Sequence, residues 1–189
     1  AALGRIRWKY LNNDGKITEA DQEWSYDPTP DFTYGFNIYL EYKNFDFTAF
    51  FQGVQGVDII SDLKKETDIW AGLNIGFLNK GRRLLDAWSA TNPNSNIPAV
   101  SLSDNNNEKR VSSYWVENGS YLKLRTVQIG YNVPKSFAQK LAMERLRFYL
   151  SAQNLFTLKS SSFTGVDPEN PNYGYPIPLN ITFGLNVTF

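Results

Sequence analysis

An all-β fold, an antiparallel transmembrane β-barrel segment with long extracellular loops, is what this sequence predicts, and three observations predict it. Stretches of strict apolar and polar alternation recur along the chain. The connections between them are long and short by turns. The final stretch, Ile181 to Phe189, alternates without a break and finishes on an aromatic ring. A strand has a side-chain period of two, so Ile181, Phe183, Leu185, Val187 and Phe189 share one face, and Thr182, Gly184, Asn186 and Thr188 share the other. About nine to eleven tilted residues cross a bilayer core, and only a closed sheet can sit in lipid.

Taken in order, residues 1–31 form a polar loop with a calcium-loop-like turn, and residues 32–57 a barrel hairpin. Phe32, Tyr34, Phe36, Ile38, Leu40 and Tyr42 lie on one face, with Thr33, Gly35, Asn37, Tyr39 and Glu41 on the other. Lys43-Asn44 is the tight turn, after which Phe45, Phe47, Ala49, Phe51 and Gly53 face outward and Asp46, Thr48, Phe50 and Gln52 face inward. Residues 58–118 are a long extracellular loop. Short helices are expected there over Asp62–Trp70 and Arg82–Trp88. Residues 119–189 supply the last three strands. In the first, Leu122 and Leu124 are in one phase and Val127, Ile129, Tyr131 and Val133 in the other, which a bulge near Arg125 or Thr126, or emergence from the membrane, would explain. Pro134 to Met143 is a short connection with a helical turn; then Leu146, Phe148, Leu150, Ala152 and Phe156 face outward against inward Arg145 and Arg147.

Connection lengths test this reading. In outer-membrane barrels the periplasmic turns are short and the extracellular loops long. Back from Phe189 the connections run long (159–179), short (134–143), long (58–118), tight (43–44) and long (1–31). A soluble sandwich has no reason to sort loops by parity. Five strands cannot close a barrel, since about eight are needed, so the sequence is expected to be either a carboxy-terminal portion or a chain that pairs with another polypeptide.

Composition agrees. The formal net charge is zero and mean hydropathy is −0.40, which gives no nucleic-acid footprint and no helical span. Aromatic residues make up 15% of the chain, suited to rings that anchor a barrel at both lipid interfaces. With neither Cys nor His, thiol nucleophiles, disulfides, histidine bases and the usual zinc sites are excluded. The opening Ala1-Ala2-Leu3-Gly4-Arg5 lacks the make-up of a signal peptide, as expected of a mature chain or a piece of one.

Several ordered blocks carry a family resemblance. They are Asp31 to Phe36, Phe50-Phe51-Gln52-Gly53, Asn118 to Arg125, Gly130 to Pro134, Leu146 to Thr157, Gly165-Val166-Asp167-Pro168-Glu169, Tyr175-Pro176-Ile177-Pro178 and Thr182 to Phe189. In order and spacing they resemble the C-terminal region of SusC/RagA-type TonB-dependent outer-membrane transporters of Bacteroidota. That resemblance implies the C-terminal part of a barrel of about 22 strands, closed by a plug on the remaining polypeptide. It also implies location in the bacterial outer membrane, a SusD-like surface lipoprotein as partner, TonB engaged through an N-terminal part, and glycan or peptide cargo. No cofactor is implied. A soluble extracellular carbohydrate-binding module with the same alternating strands is the competing expectation, and it would bury the outward face in a protein core.

Four sets of residues are candidates for sharper roles. Asn12, Asp14, Gly15, Ile17 and Asp21 stand at positions 3, 5, 6, 8 and 12 of a calcium loop, with Asn12, Asp14 and Asp21 as metal ligands; Tyr10 stands where the first carboxylate belongs. The alternative there is a polar Asn-Asp-Gly turn. The carboxylates Glu41, Asp46, Asp167 and Glu169 have no pairing visible in sequence, so glycosidase-type chemistry is not expected and ordinary solvated charge is. Inward Asp46, Gln52, Arg145 and Arg147 are suited to touching a solute or satisfying one another. Trp70, Trp88 and Trp115 are suited to stacking on a sugar or to packing within the long loop. Phe189 is read as an assembly signal for the membrane.

Overall fold

The computed structural model describes residues 3–68, 80–101, 103–108, 110–171 and 174–189. The chain divides into two compact units, one of residues 1–28, 58–117 and 171–173, the other of residues 29–57, 118–170 and 174–189.

The second unit is a five-stranded antiparallel sheet. Its strands are β1 (Phe32–Tyr42), β2 (Phe45–Gln55), β5 (Tyr121–Asn132), β6 (Arg145–Lys159) and β7 (Asn180–Thr188), in the spatial order β1-β2-β5-β6-β7. Every neighbour in space is the next long strand in sequence, as in an up-and-down barrel wall. The sheet is open, with β1 and β7 at its edges. At the tight turn Lys43 takes a left-handed φ of +55°. The connection after β5 holds α2 (Lys135–Ala138) and a 3₁₀ turn, Gln139–Leu141, closed by left-handed Ala142.

The predicted bulge lies at Arg125. Against β2, Phe51 pairs with Leu124 and Phe50 with Thr126, which leaves Arg125 unopposed; against β6, Leu124 pairs with Phe156 and Thr126 with Gln153. On that side Asn154 adopts a φ of +56°. The extra residue converts the odd phase of one half of β5 into the even phase of the other. Apolar rows therefore run unbroken across the sheet: Leu40, Phe47, Ile129, Leu150 and Phe183 in one, Ile38, Ala49, Val127, Ala152 and Ile181 in the next. Without the bulge, half of β5 would present its polar residues on the apolar side.

Most of that apolar face is uncovered, with Ala49, Leu124 and Leu146 the buried exceptions. Leu40 is 60% exposed, Ile181 66% and Phe183 68%. A patch of this extent is far larger than soluble monomers leave open. A soluble binding module needs the face buried; lipid needs it bare.

Two element boundaries differ from expectation. β6 continues to Lys159, because Tyr121 and Leu122 at the start of β5 still offer it partners. β7 ends at Thr188, with Phe189 just beyond it.

In the first unit, β3 (Asp58–Ile60) and β4 (Val116–Asn118) form a two-stranded sheet. The first expected helix is α1 (Asp62–Asp68), and Ile69 and Trp70 lie outside the described residues. The second is a 3₁₀ turn at Arg82–Asp86 instead of a helix through Trp88, for Gly81 and Ala87 on either side of it are extended. Segments read in sequence as two separate loops, 1–31 and 58–118, contribute most of their length to this one unit.

Candidate functional site

Inward-phase residues gather into two polar clusters on the sheet. Near the β1–β2 turn, Arg147 on β6 donates from Nε to Asp46 Oδ2 at 3.0 Å and pairs through Nη2 with Oδ1. Asn132 donates from Nδ2 to Asp46 at 3.1 Å and accepts at Oδ1 from Arg145. Gly130 sits between, and a Cβ there would come within 2.3 Å of Arg147 Nη2 and 2.5 Å of Asp46 Oδ1. The glycine is the gap through which the pair meets. Asp46, Arg145 and Arg147, three of the four inward polar residues expected to act as a set, are thus joined; they satisfy one another.

Around the bulge lies a second cluster that sequence reasoning missed. Lys123 on β5 is fully buried, and its Nζ donates to Asp167 Oδ2 at 2.7 Å and to Glu169 Oε2. Tyr121 donates to Glu169 Oε1 at 2.7 Å, and Arg125 pairs with the same carboxylate while its Nε donates to Gln52 at 2.8 Å. Gln52, the fourth expected residue, therefore belongs here. Asp167 and Glu169 are corrected from solvated charges to partners of a buried cation. Burial pushes the Glu169 carboxyl up, but the bonds from Lys123 and Tyr121 outweigh it and hold the group below the usual carboxylate range. Glu41 accepts from Tyr39 at 3.0 Å.

The first unit is knit by buried ions. Glu108, fully buried, accepts from the Ile6 amide at 2.8 Å and from Asn106 at 3.2 Å and pairs with Arg5. Asp68 accepts from Tyr114 at 2.7 Å and faces Arg83 at 3.3 Å. Burial, then the bond to Asp68, drives the Tyr114 phenol far above its ordinary value; burial lowers Lys64, whose ammonium lies 4.1 Å from the Tyr114 ring centre. Trp115 is buried and its indole donates to Arg110 at 3.1 Å, so its role is packing. Trp88 covers Gly4, where a Cβ would stand 2.3 Å from the ring. Trp88 is half-buried and lines a separate cavity of about 400 Å³. A cleft of about 540 Å³ does carry other rings, Trp8, Trp24, Tyr26 and Tyr114, beside Arg7 and Arg110.

At the calcium-loop-like turn, both Asp21 oxygens are used by backbone. Oδ1 accepts from Leu11 and Asn12, and Oδ2 from Thr18 at 2.8 Å, which with the Thr18 cap makes a capping box. These amides, Thr18 first, hold the Asp21 carboxyl below its ordinary value. Asn12 and Asp14 bond to each other, and Asp14 accepts from Lys16. Among the described residues, no three His, Cys, Asp or Glu side chains converge as a metal site.

A sheet bare and apolar on one side, polar and cross-linked on the other, and open at both edges is a piece of membrane-barrel wall. Comparison with known proteins gives the particular kind. The chain is 38% identical over 95% of its length to TonB-dependent receptor P3 of Formosa agariphila, and 27% identical over 94% to TonB-dependent receptor SusC of Bacteroides thetaiotaomicron. Its fold superposes on the RagAB peptide importer in the open-open state with a TM-score of 0.78 over 99% of the chain, at 25% identity. No family model matches the chain. It is homologous to TonB-dependent receptors of the SusC/RagA type along nearly all its length, and the resemblance read from its motifs is borne out. The chain spans about a fifth of these relatives, 18%, 17% and 21% respectively.

Proposed function

We propose that this chain is the C-terminal part of the barrel wall of an outer-membrane, TonB-dependent importer of glycans or peptides that works with a SusD-like surface lipoprotein. The observation that carries the reading is the apolar face, continuous across all five strands and mostly uncovered, backed by a polar face suited to a water-filled or plugged lumen. The long connections at 1–31, 58–118 and 159–179 face outward, where cargo and lipoprotein meet. RagAB, to which the fold is similar, is described as a peptide importer; SusC is described as a receptor. The ring-lined cleft of the first unit suits either cargo, since an aromatic face packs on a sugar or on an apolar side chain. Phe189 serves assembly.

Membrane fractionation of cells expressing the full-length protein tests the reading. The protein is expected to stay in the outer membrane through alkaline carbonate and to need detergent for release; recovery as a detergent-free soluble protein would overturn it. Phe189→Asp is expected to lower the amount inserted and to leave cargo affinity of the inserted fraction unchanged. The opposite pattern would remove Phe189 from assembly.

A further inference from the structure

We infer that residues 160–170, the first half of the β6–β7 connection, are a fixed strap clamped to the inward face of the sheet, with Lys123 as the bolt and the β5 bulge as the device that supplies the second cation. A connection that follows a long strand and carries Ser160, Ser161, Ser162, Gly165 and Pro168 reads as a free loop. The structure holds it at four successive points. Ser160 donates its amide to Ser120 at 3.0 Å. Phe163 is buried, 4% exposed, under the Lys159 ammonium at 5.3 Å from the ring centre, and Lys159 also bonds to the Gly165 carbonyl. Asp167 and Glu169 then reach the Lys123 amine, and Asp167 also accepts the Glu169 amide at 3.0 Å, so the two carboxylates are set by their own backbone.

Charge balance explains why two cations are needed. Lys123 alone would face two carboxylates, buried Asp167 and half-buried Glu169; Arg125 brings the set to two positive and two negative. In a regular strand Lys123 and Arg125 share a face, but the polar phase then fails below them, because Val127 and Ile129 would point inward. The bulge lets Arg125 keep to the inward side, held by Gln52, while Val127 and Ile129 return to the apolar face. One inserted residue thereby serves both the clamp and the membrane face. A buried ion pair leaves an uncompensated charge when one partner is removed, so this strap is expected to stay shut instead of swinging as a lid.

Hydrogen exchange on the full-length protein in detergent tests it, with heat-modified gel mobility confirming a folded barrel. In the unsubstituted protein, amides of residues 163–170 are expected to be protected. Lys123→Met should raise their exchange roughly a hundredfold with β6 and β7 unchanged, and Lys123→Arg should restore much of the protection. Should Lys123→Met fail to fold, Glu169→Gln, which keeps the Asp167 charge beside Lys123, is expected to release the same amides. Fast exchange of 163–170 in the unsubstituted protein, or no change in either folded variant, would show a free loop and overturn the strap.

Discussion

The two units of this chain are specified in opposite ways. In the sheet, each strand states its own structure within a dozen residues, because a period of two and a bare apolar face leave one register that keeps every apolar row intact. The loop unit has no such pattern. It is fixed by Glu108 reaching across to Arg5 and Ile6, and by Asp68 reaching to Tyr114, contacts that span dozens of residues and involve charges removed from water. Lipid-facing structure tolerates few errors of phase and many of packing; a polar loop unit tolerates the reverse.

Breaking the loop unit is expected to have the largest effect. Glu108→Ala leaves the Arg5 guanidinium buried without its partner, at a cost of about 3–5 kcal/mol, read as early proteolysis of residues 1–28 and 58–117 while the sheet keeps its heat-modified mobility. If both units melt together, the two are not independently specified. Next, an arginine on the apolar face should hurt more than one on the polar face of the same strand. Phe183→Arg is expected to cost about 2–4 kcal/mol near the middle of β7, and Thr182→Arg much less, measured by reversible folding into vesicles; equal costs would erase the distinction between faces.

Smaller effects sharpen the comparison. Asp21 has a lowered carboxyl value, so its contribution is fully present above the ordinary Asp range and is lost as pH falls through the folded value. Below about pH 4, amides of Leu11, Asn12 and Thr18 should exchange faster, and Asp21→Asn should remove that acid step; an unchanged step would place its origin elsewhere. Smallest of all, calcium titration should leave thermal unfolding of the loop unit unmoved, because backbone amides already occupy both Asp21 oxygens. A rise in unfolding temperature with calcium would make the Asn12–Asp21 turn a calcium loop.

Most of the sheet was legible in sequence: the strands, the tight turn at Lys43-Asn44 and the bulge at Arg125 all follow from alternation and its one phase change. The Asp46 and Arg147 contact was legible as a set of inward residues, though not as a pair, since pairing depends on Gly130 opening the gap. Lys123 with Asp167 and Glu169 was not legible. Those residues lie more than forty positions apart, and a carboxylate in a Gly, Pro and Ser-rich connection looks like any solvated charge until the strand behind it is placed. The same holds for Glu108 and Asp68, whose burial no local pattern announces.

Single cysteines placed in turn from Ile181 to Thr188 in the full-length protein, spin-labelled in bilayers, test the central claim most directly. Accessibility to oxygen dissolved in lipid should peak at 181, 183, 185 and 187, and accessibility to a water-soluble paramagnetic reagent or plug contact should mark 182, 184, 186 and 188. Protection of Ile181, Phe183, Leu185 and Val187 from both reagents, as in a buried protein core, would contradict a barrel wall.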